Sequence, residues 1–153
     1  MAESLKLDTH KFNATMRKFG APDSVIRQYD HWTVLLRPAQ VTLGSLILAA
    51  NDKALTFAEL SQESFLELKR VSNDLETALK SAFSYDKLNY LMLMMVDPDV
   101  HFHVIPRYAA EREFSEINFV DSGWPGPPDL GYNNSTDDNL KAAILAKLQD
   151  NWL

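Results

Sequence analysis

The chain has 153 residues, 46% of them hydrophobic and eight of them phenylalanine, enough for one substantial core and too few for two, so a single domain over 1–153 is expected. The absence of cysteine excludes a disulfide framework and any thiolate nucleophile or ligand. With 21 acidic against 15 basic residues and a formal charge of −6, the chain lacks the positive field that binding to nucleic acid or an anionic membrane needs, although a small anionic ligand asks only for local donors such as Arg37, His101, His103 and Arg107.

The first twenty residues, MAESLKLDTHKFNATMRKFG, lack the continuous apolar stretch of a secretory leader, and no later stretch approaches the roughly 20 apolar residues of a membrane span. A soluble, cytoplasmic protein is expected. Within this stretch Phe12, Met16 and Phe19 recur at helical spacing, which predicts a short packing helix over 8–19, ended by Gly20 and Pro22. YDHWTVLLR, 29–37, reads as a strand that becomes buried at Val34–Leu36 and stops at Pro38. Gly44 then marks a turn or a close approach, and a second buried strand follows at 46–50, near enough in sequence to pair antiparallel with the first.

Thr56 and Glu59 have the spacing of a capping box, predicting a helical turn near 57–60. From Ser61, a candidate N-cap, the positions Phe65, Leu68, Val71, Leu75, Ala78, Leu79 and Ala82 trace one stripe of a long helix suited to lie on a sheet. LNYLMLMMV, 88–96, is an apolar run of strand length and favours a central strand covered on both faces, with a helix ending before Pro98 as the alternative. DVHFHVI, 99–105, alternates: on a strand Val100, Phe102 and Val104 point one way and Asp99, His101 and His103 the other, with Pro98 and Pro106 as bounds. Residues 109–138 carry no period and read as a long segment lying over the body, anchored by Phe114, Phe119 and Trp124. A last helix starts near Asp137 or Asp138 and presents Leu140, Ala143, Ile144 and Leu148. The order of elements predicts an α+β fold: a mostly antiparallel sheet, a long helix packed on it, and N- and C-terminal helical additions.

Three uses compete for His101 and His103. As core histidines they would be satisfied by backbone or side-chain partners. As nucleophile and helper they would suit phosphoryl transfer, since a neutral imidazole attacks phosphorus and can leave again, provided its second nitrogen donates to a carbonyl or carboxylate. Asp99 could orient a neighbouring histidine in that way. Arg107 offers a planar fork for phosphate oxygens or is an ordinary strand-end residue. As metal ligands, Asp99, His101 and His103 have the right types, but three ligands from one short strand converge poorly, and no metal is expected. No G-x-G-x-x-G, Walker or G-x-S-x-G pattern is present.

DVHFHVIPR resembles the signature of the histidine triad (HIT) family of nucleotide hydrolases and transferases, His-φ-His-φ-His-φ-φ with φ apolar, and the preceding strand, Gly44 turn, SLILAA strand, long helix and LNYLMLMMV follow in the family's order. The likeness spans about residues 29–108, leaving 109–153 as a C-terminal extension. It implies that His101 attacks the α-phosphorus and holds the nucleotidyl group, that His103 contacts phosphates and assists the leaving group, and that the chain forms a homodimer. Asp99 stands where the family has its first histidine. Leu43, Gly44 and Ser45 stand where a glycine-proline turn and a histidine are usual, Arg37 where an asparagine contacts ribose, and the loop before the signature shortens to Val96-Asp97-Pro98. The implied ligand is a small nucleotide, held by Arg37, Gly44, Ser45 and Arg107, with Phe12 and Trp32 as base contacts or core residues. No covalent cofactor is implied, and Mg²⁺ would enter with the substrate's phosphates. Asp99 beside phosphates would repel them unless protonated, paired or turned toward a histidine, which leaves a nucleotide-binding protein without turnover as the alternative.

Overall fold

Two aliphatic strands form the centre of the molecule because neither has a polar face to give to water. β2 (Trp32–Leu36) and β3 (Leu46–Ala50) are buried at every position and pair antiparallel from Trp32↔Ala50 to Leu36↔Leu46. A computed structural model describes residues 6–152; the first five residues of the stretch read for a leader lie outside it. The sheet is completed by β1 (Val25–Gln28), β4 (Lys87–Leu91) and β5 (His101–Arg107) in the order β1-β2-β3-β5-β4, every pairing antiparallel. The fold is α+β, as the sequence predicts.

The long helix runs from Gln62 to Phe83 (α2, after a short α1 at Ala14–Lys18). Ser61 caps it by accepting from the Ser64 amide at 3.1 Å, and Val71, Leu75, Ala78 and Leu79 bury its stripe. That stripe, with the last helix, α3 (Asp138–Asp150), covers the face of the sheet carrying Trp32, Val34, Leu46, Leu48 and Val104. Asp137 caps α3, its carboxylate accepting from Leu140 N at 2.7 Å. Gly44 lets the β2–β3 connection pass beneath α2: its φ is +85°, and a Cβ there would stand 2.9 Å from the Phe83 ring.

Four expectations are corrected. Residues 8–19 are not one helix but a 3-10 turn at Thr9–Lys11 followed by α1, because Asn13 turns its side chain to cap the Met16 amide. The 29–37 strand narrows to β2, and Val25–Gln28 forms an additional edge strand. The apolar run at 88–96 is neither a covered central strand nor a helix: only Lys87–Leu91 is strand, it lies at the sheet edge, and Leu93, Met95 and Val96 are exposed. Finally, Pro106 does not end β5. It pairs with Leu88, and its carbonyl accepts from Thr42 Oγ1, on the side where β3 has already stopped at Leu46↔Val104, so no ladder partner is deprived by the missing N–H.

Residues 109–137 lie over the body as expected but include a hairpin, β6 (Arg112–Phe114) and β7 (Ile117–Phe119). Phe119 is buried, and Phe114 packs edge-on against Phe83. Buried Asn134 stitches the segment down, its amide donating to the carbonyls of Gln40, Val41 and Val120.

Candidate active site

Alternation along β5 decides which face carries the histidines. Phe102 and Val104 join the core beneath α2, so His101 and His103 point to the other face, opposite Ala49 and Ile47 of β3. That face has its own apolar cluster of Val25, Leu35, Ile47 and Ala49, and Phe12 and Met16 of the N-terminal segment are laid across it. The two imidazoles sit 5.1 Å apart between ring centroids, and Phe19 stands 5.9 Å from each. His101 is 2% exposed and His103 7%, so the N-terminal segment closes the site from outside.

Each ring has one nitrogen engaged. His101 Nδ1 lies 2.7 Å from the Asp99 backbone carbonyl, which can only accept, so Nδ1 carries the proton and Nε2 keeps its lone pair. His103 Nδ1 lies 3.3 Å from Arg37 Nε, which can only donate. Burial, then the positive charge of Arg37, then the neighbouring His101 push the His103 pKa down to about 4, so this ring is neutral at physiological pH. Arg37 is held from several sides. Its Nη1 donates to the Ala39 carbonyl at 2.8 Å, its amide to the Ser45 carbonyl at 3.0 Å, and its own carbonyl accepts from Gln40 Nε2 at 2.7 Å.

Asp99 lies two residues before the strand's first histidine rather than on the ladder. Its carboxylate accepts from Thr15 Oγ1 at 2.8 Å, so it contributes to His101 through its backbone carbonyl while its side chain holds α1. Lys18 makes a second tie, to Asp97 at 2.7 Å. Among the described residues, Asp99, His101 and His103 do not converge as a set of metal ligands.

The structure thus brings Arg37, Asp99, His101 and His103 together and leaves the remaining candidates engaged elsewhere. Gly44 faces Phe83 and Leu79, and Ser45 exchanges hydrogen bonds with Thr42 inside the turn. Arg107 shares the histidine face but sits about 13 Å further along the strand, paired to Asp121 at 2.7 and 3.0 Å and to Asn89 at 2.8 Å. Trp32 is fully buried with its indole N–H on the Ser64 carbonyl, and Phe12 packs in the second cluster, so both aromatic rings belong to the core. Thr15, Lys18 and Phe19 are the neighbours that sequence reasoning did not place. The periodicity of Phe12, Met16 and Phe19 signalled an apolar face but not what it would cover.

Solved structures share this architecture. A histidine triad (HIT) protein from Sinorhizobium meliloti 1021 superposes with a TM-score of 0.72 at 20% identity, over 92% of this chain and 95% of that one. The chain has the histidine-triad fold. A histidine triad protein from Marinobacter aquaeolei VT8 gives 0.68 at 23% identity, covering 89% of this chain and 93% of its own. A hypothetical histidine triad nucleotide-binding protein from Sulfolobus tokodaii strain7 gives 0.63 at 15%, covering 84% and 82%. No family model matches the chain, and no curated protein matches it in sequence. Among the described residues no helix of this histidine-triad fold is long and apolar enough to cross a membrane.

Proposed function

We propose that the protein hydrolyses or transfers nucleotidyl groups from nucleoside phosphate esters, anhydrides such as diadenosine polyphosphates, or phosphoramidates, through a covalent intermediate on His101. The observation that carries this reading is the His101 Nδ1–H···O=C bond to Asp99, which leaves Nε2 as a free nucleophile on a face shared with a second histidine and an arginine. The fold supports it further, since a neighbour of the same architecture is described as nucleotide-binding.

In the first step Nε2 of His101 forms a bond to the α-phosphorus. The bond from phosphorus to the leaving oxygen or nitrogen breaks, its electron pair goes with the leaving atom, the Nε2–H of neutral His103 donates a hydrogen bond to that atom, and solvent supplies the proton it takes up. Water or another acceptor then attacks the phosphorus, the P–N bond returns its pair to Nε2, and the acceptor's proton passes to solvent. Mg²⁺ would arrive on the substrate's phosphates. The segment from Thr15 to Phe19 has to move aside first, because the nucleophile is closed off in the resting chain. The open edge of β4, with Tyr90, Leu93, Met95 and Val96 exposed beside it, supports a homodimer, and sedimentation showing only monomer at micromolar concentration would remove that part of the reading.

A second reading, a nucleotide-binding or sensing protein without turnover, is favoured by the same burial and by the carboxylate of Asp99 where the family signature has a histidine. Titration with AMP and several dinucleoside polyphosphates, run beside an assay for AMP release, separates the two. Acid quench with α-labelled nucleotide should leave label on His101. His101→Gly should lose turnover while circular dichroism stays unchanged; an undiminished rate would end the covalent mechanism.

A further inference from the structure

We propose that Arg37 is a positioning residue for His103: by donating Nε–H to Nδ1 it fixes the ring's single proton on Nε2, making His103 a neutral hydrogen-bond donor with the opposite tautomer to His101. The inference rests on the reading of the histidine pair as a phosphate-handling site, and it assigns to the pair a division of labour.

Two contacts carry it. Arg37 has donors and no acceptor, and its guanidinium does not deprotonate in a protein, so a nitrogen receiving its N–H must present a lone pair. The Asp99 carbonyl has acceptors and no donor, so the His101 nitrogen beside it must carry the proton. The outer nitrogen is therefore a lone pair on His101 and an N–H on His103. Nucleophilic attack needs the first, and donating a hydrogen bond to a phosphate oxygen or to the leaving atom needs the second. Neither assignment depends on the other ring, so the pair reaches this arrangement before any ligand enters.

The arginine is itself immobilised for such a task. One Nη1 proton goes to the Ala39 carbonyl, and the backbone on both sides of its Cα is bonded to Ser45 and Gln40. Among the described residues the other three N–H groups of the guanidinium have no protein acceptor, which leaves them for phosphate oxygens. A neutral donor also differs from an imidazolium in its pH range: it keeps its proton as the pH rises and gains a second only on acidification. The charged and titratable groups facing His103 are Arg37 from the β2–β3 turn, His101 from its own strand, and Asp97 from the preceding loop, the last neutralised by Lys18 of α1. Burial, Arg37 and His101 together outweigh Asp97, holding the pKa near 4.

The test is ¹⁵N imidazole spectroscopy on the full chain, with His103 assigned by its loss in His103→Gln. In the wild type at pH 8 the one-bond proton should sit on Nε2 of His103 and on Nδ1 of His101, and His103 should keep this form at pH 6. In Arg37→Met the Nδ1 resonance of His103 should move, having lost its donor, and its titration midpoint should rise by at least about half a unit, while remaining below the ordinary 6.5 because burial persists. A proton on Nδ1 of His103 in the wild type, or a midpoint in Arg37→Met within about 0.2 unit of wild type, would overturn the assignment. Should Arg37→Met not fold, the wild-type spectrum decides alone. Turnover plays no part in this readout. An active His101→Gly would refute nucleotidyl transfer and leave the tautomers standing, whereas an Nδ1–H tautomer of His103 would do the reverse.

Discussion

Thr15 Oγ1 donates to Asp99 Oδ2 at 2.8 Å, and the same aspartate's carbonyl accepts from His101 Nδ1 at 2.7 Å. One residue therefore both holds the segment that closes the site and orients the ring beneath it. The closing segment and His101 are coupled through Asp99 rather than through direct packing alone.

That coupling predicts how the site opens. Phe19→Ala removes the ring that stands against both imidazoles, and Thr15→Val removes the tie to Asp99 while keeping the side chain's shape. Both variants should make His101 and His103 react several-fold faster with diethylpyrocarbonate, read by mass spectrometry. Thr15→Val should lose about 1–2 kcal/mol of stability, the usual consequence of stripping a hydrogen-bond donor from a part-buried carboxylate. An unchanged labelling rate in Phe19→Ala would mean that this ring is not what closes the site.

The His103 ring, neutral down to about pH 4, and the His31 ring, drawn upward by its hydrogen bond to Asp52, should tilt stability in opposite directions. Between pH 6.5 and about 4 the unfolded chain protonates a histidine that folded His103 leaves neutral, so its contribution is full above 6.5 and is lost as the pH falls through that window. His31 contributes below 6.5, and its contribution is lost as the pH rises through its own raised value. Urea unfolding at pH 7.5 and pH 4.5 should show His103→Gln losing less on acidification than the wild type, by about 1–3 kcal/mol. His31→Gln should flatten the profile on the other side of neutrality.

Much of this was legible in the sequence, and the parts that were not share a cause. The alternation of 99–105 put the two histidines on one face, and the stripe from Val71 to Leu79 located the helix that covers the other face, because both are local periodicities. Residues 88–96 misled because an apolar run looks alike whether it is covered or left at an edge, and only the strand order shows which. Arg107 was equally ambiguous: its partner Asp121 lies 14 residues away in a segment without period. The contact between Arg37 and His103 spans 66 residues and joins a turn to a strand, and nothing in either neighbourhood encodes it.

Arg107 and Asp121 are nearly closed to solvent, with side chains 5% and 1% exposed, so removing one partner leaves a buried charge. Asp121→Ala should lose about 3–5 kcal/mol in urea unfolding, more than an exposed ion pair would. A loss below about 1 kcal/mol would mean that Arg107 is free to turn elsewhere, including toward a ligand.

Gly44→Ala should be destabilising for two separable reasons, the left-handed φ of +85° and a Cβ 2.9 Å from the Phe83 ring. About 2–4 kcal/mol is expected, and Gly44→Ala combined with Phe83→Leu should recover only the steric part. Full recovery would mean that the backbone tolerates the left-handed conformation without glycine.

Two residues before His101, the carboxylate of Asp99 holds the Thr15 hydroxyl, and under the proposed function its charge would oppose a phosphate brought to that histidine. Asp99→Asn keeps an oxygen for that hydroxyl and keeps the backbone carbonyl that orients His101, so it changes charge and little else. A unit charge about 4 Å from another is worth roughly 1 kcal/mol even at the dielectric of water, which is a factor of about five in affinity. AMP should therefore bind Asp99→Asn about three- to tenfold more tightly than wild type at low salt, measured by calorimetry, with the advantage shrinking toward 1 M salt as screening takes over. The His101 tautomer should be unchanged. Weaker binding in Asp99→Asn would place the carboxylate among the groups that hold the ligand, and the aspartate would then be read as a working member of the site instead of a tether that the nucleotide has to overcome.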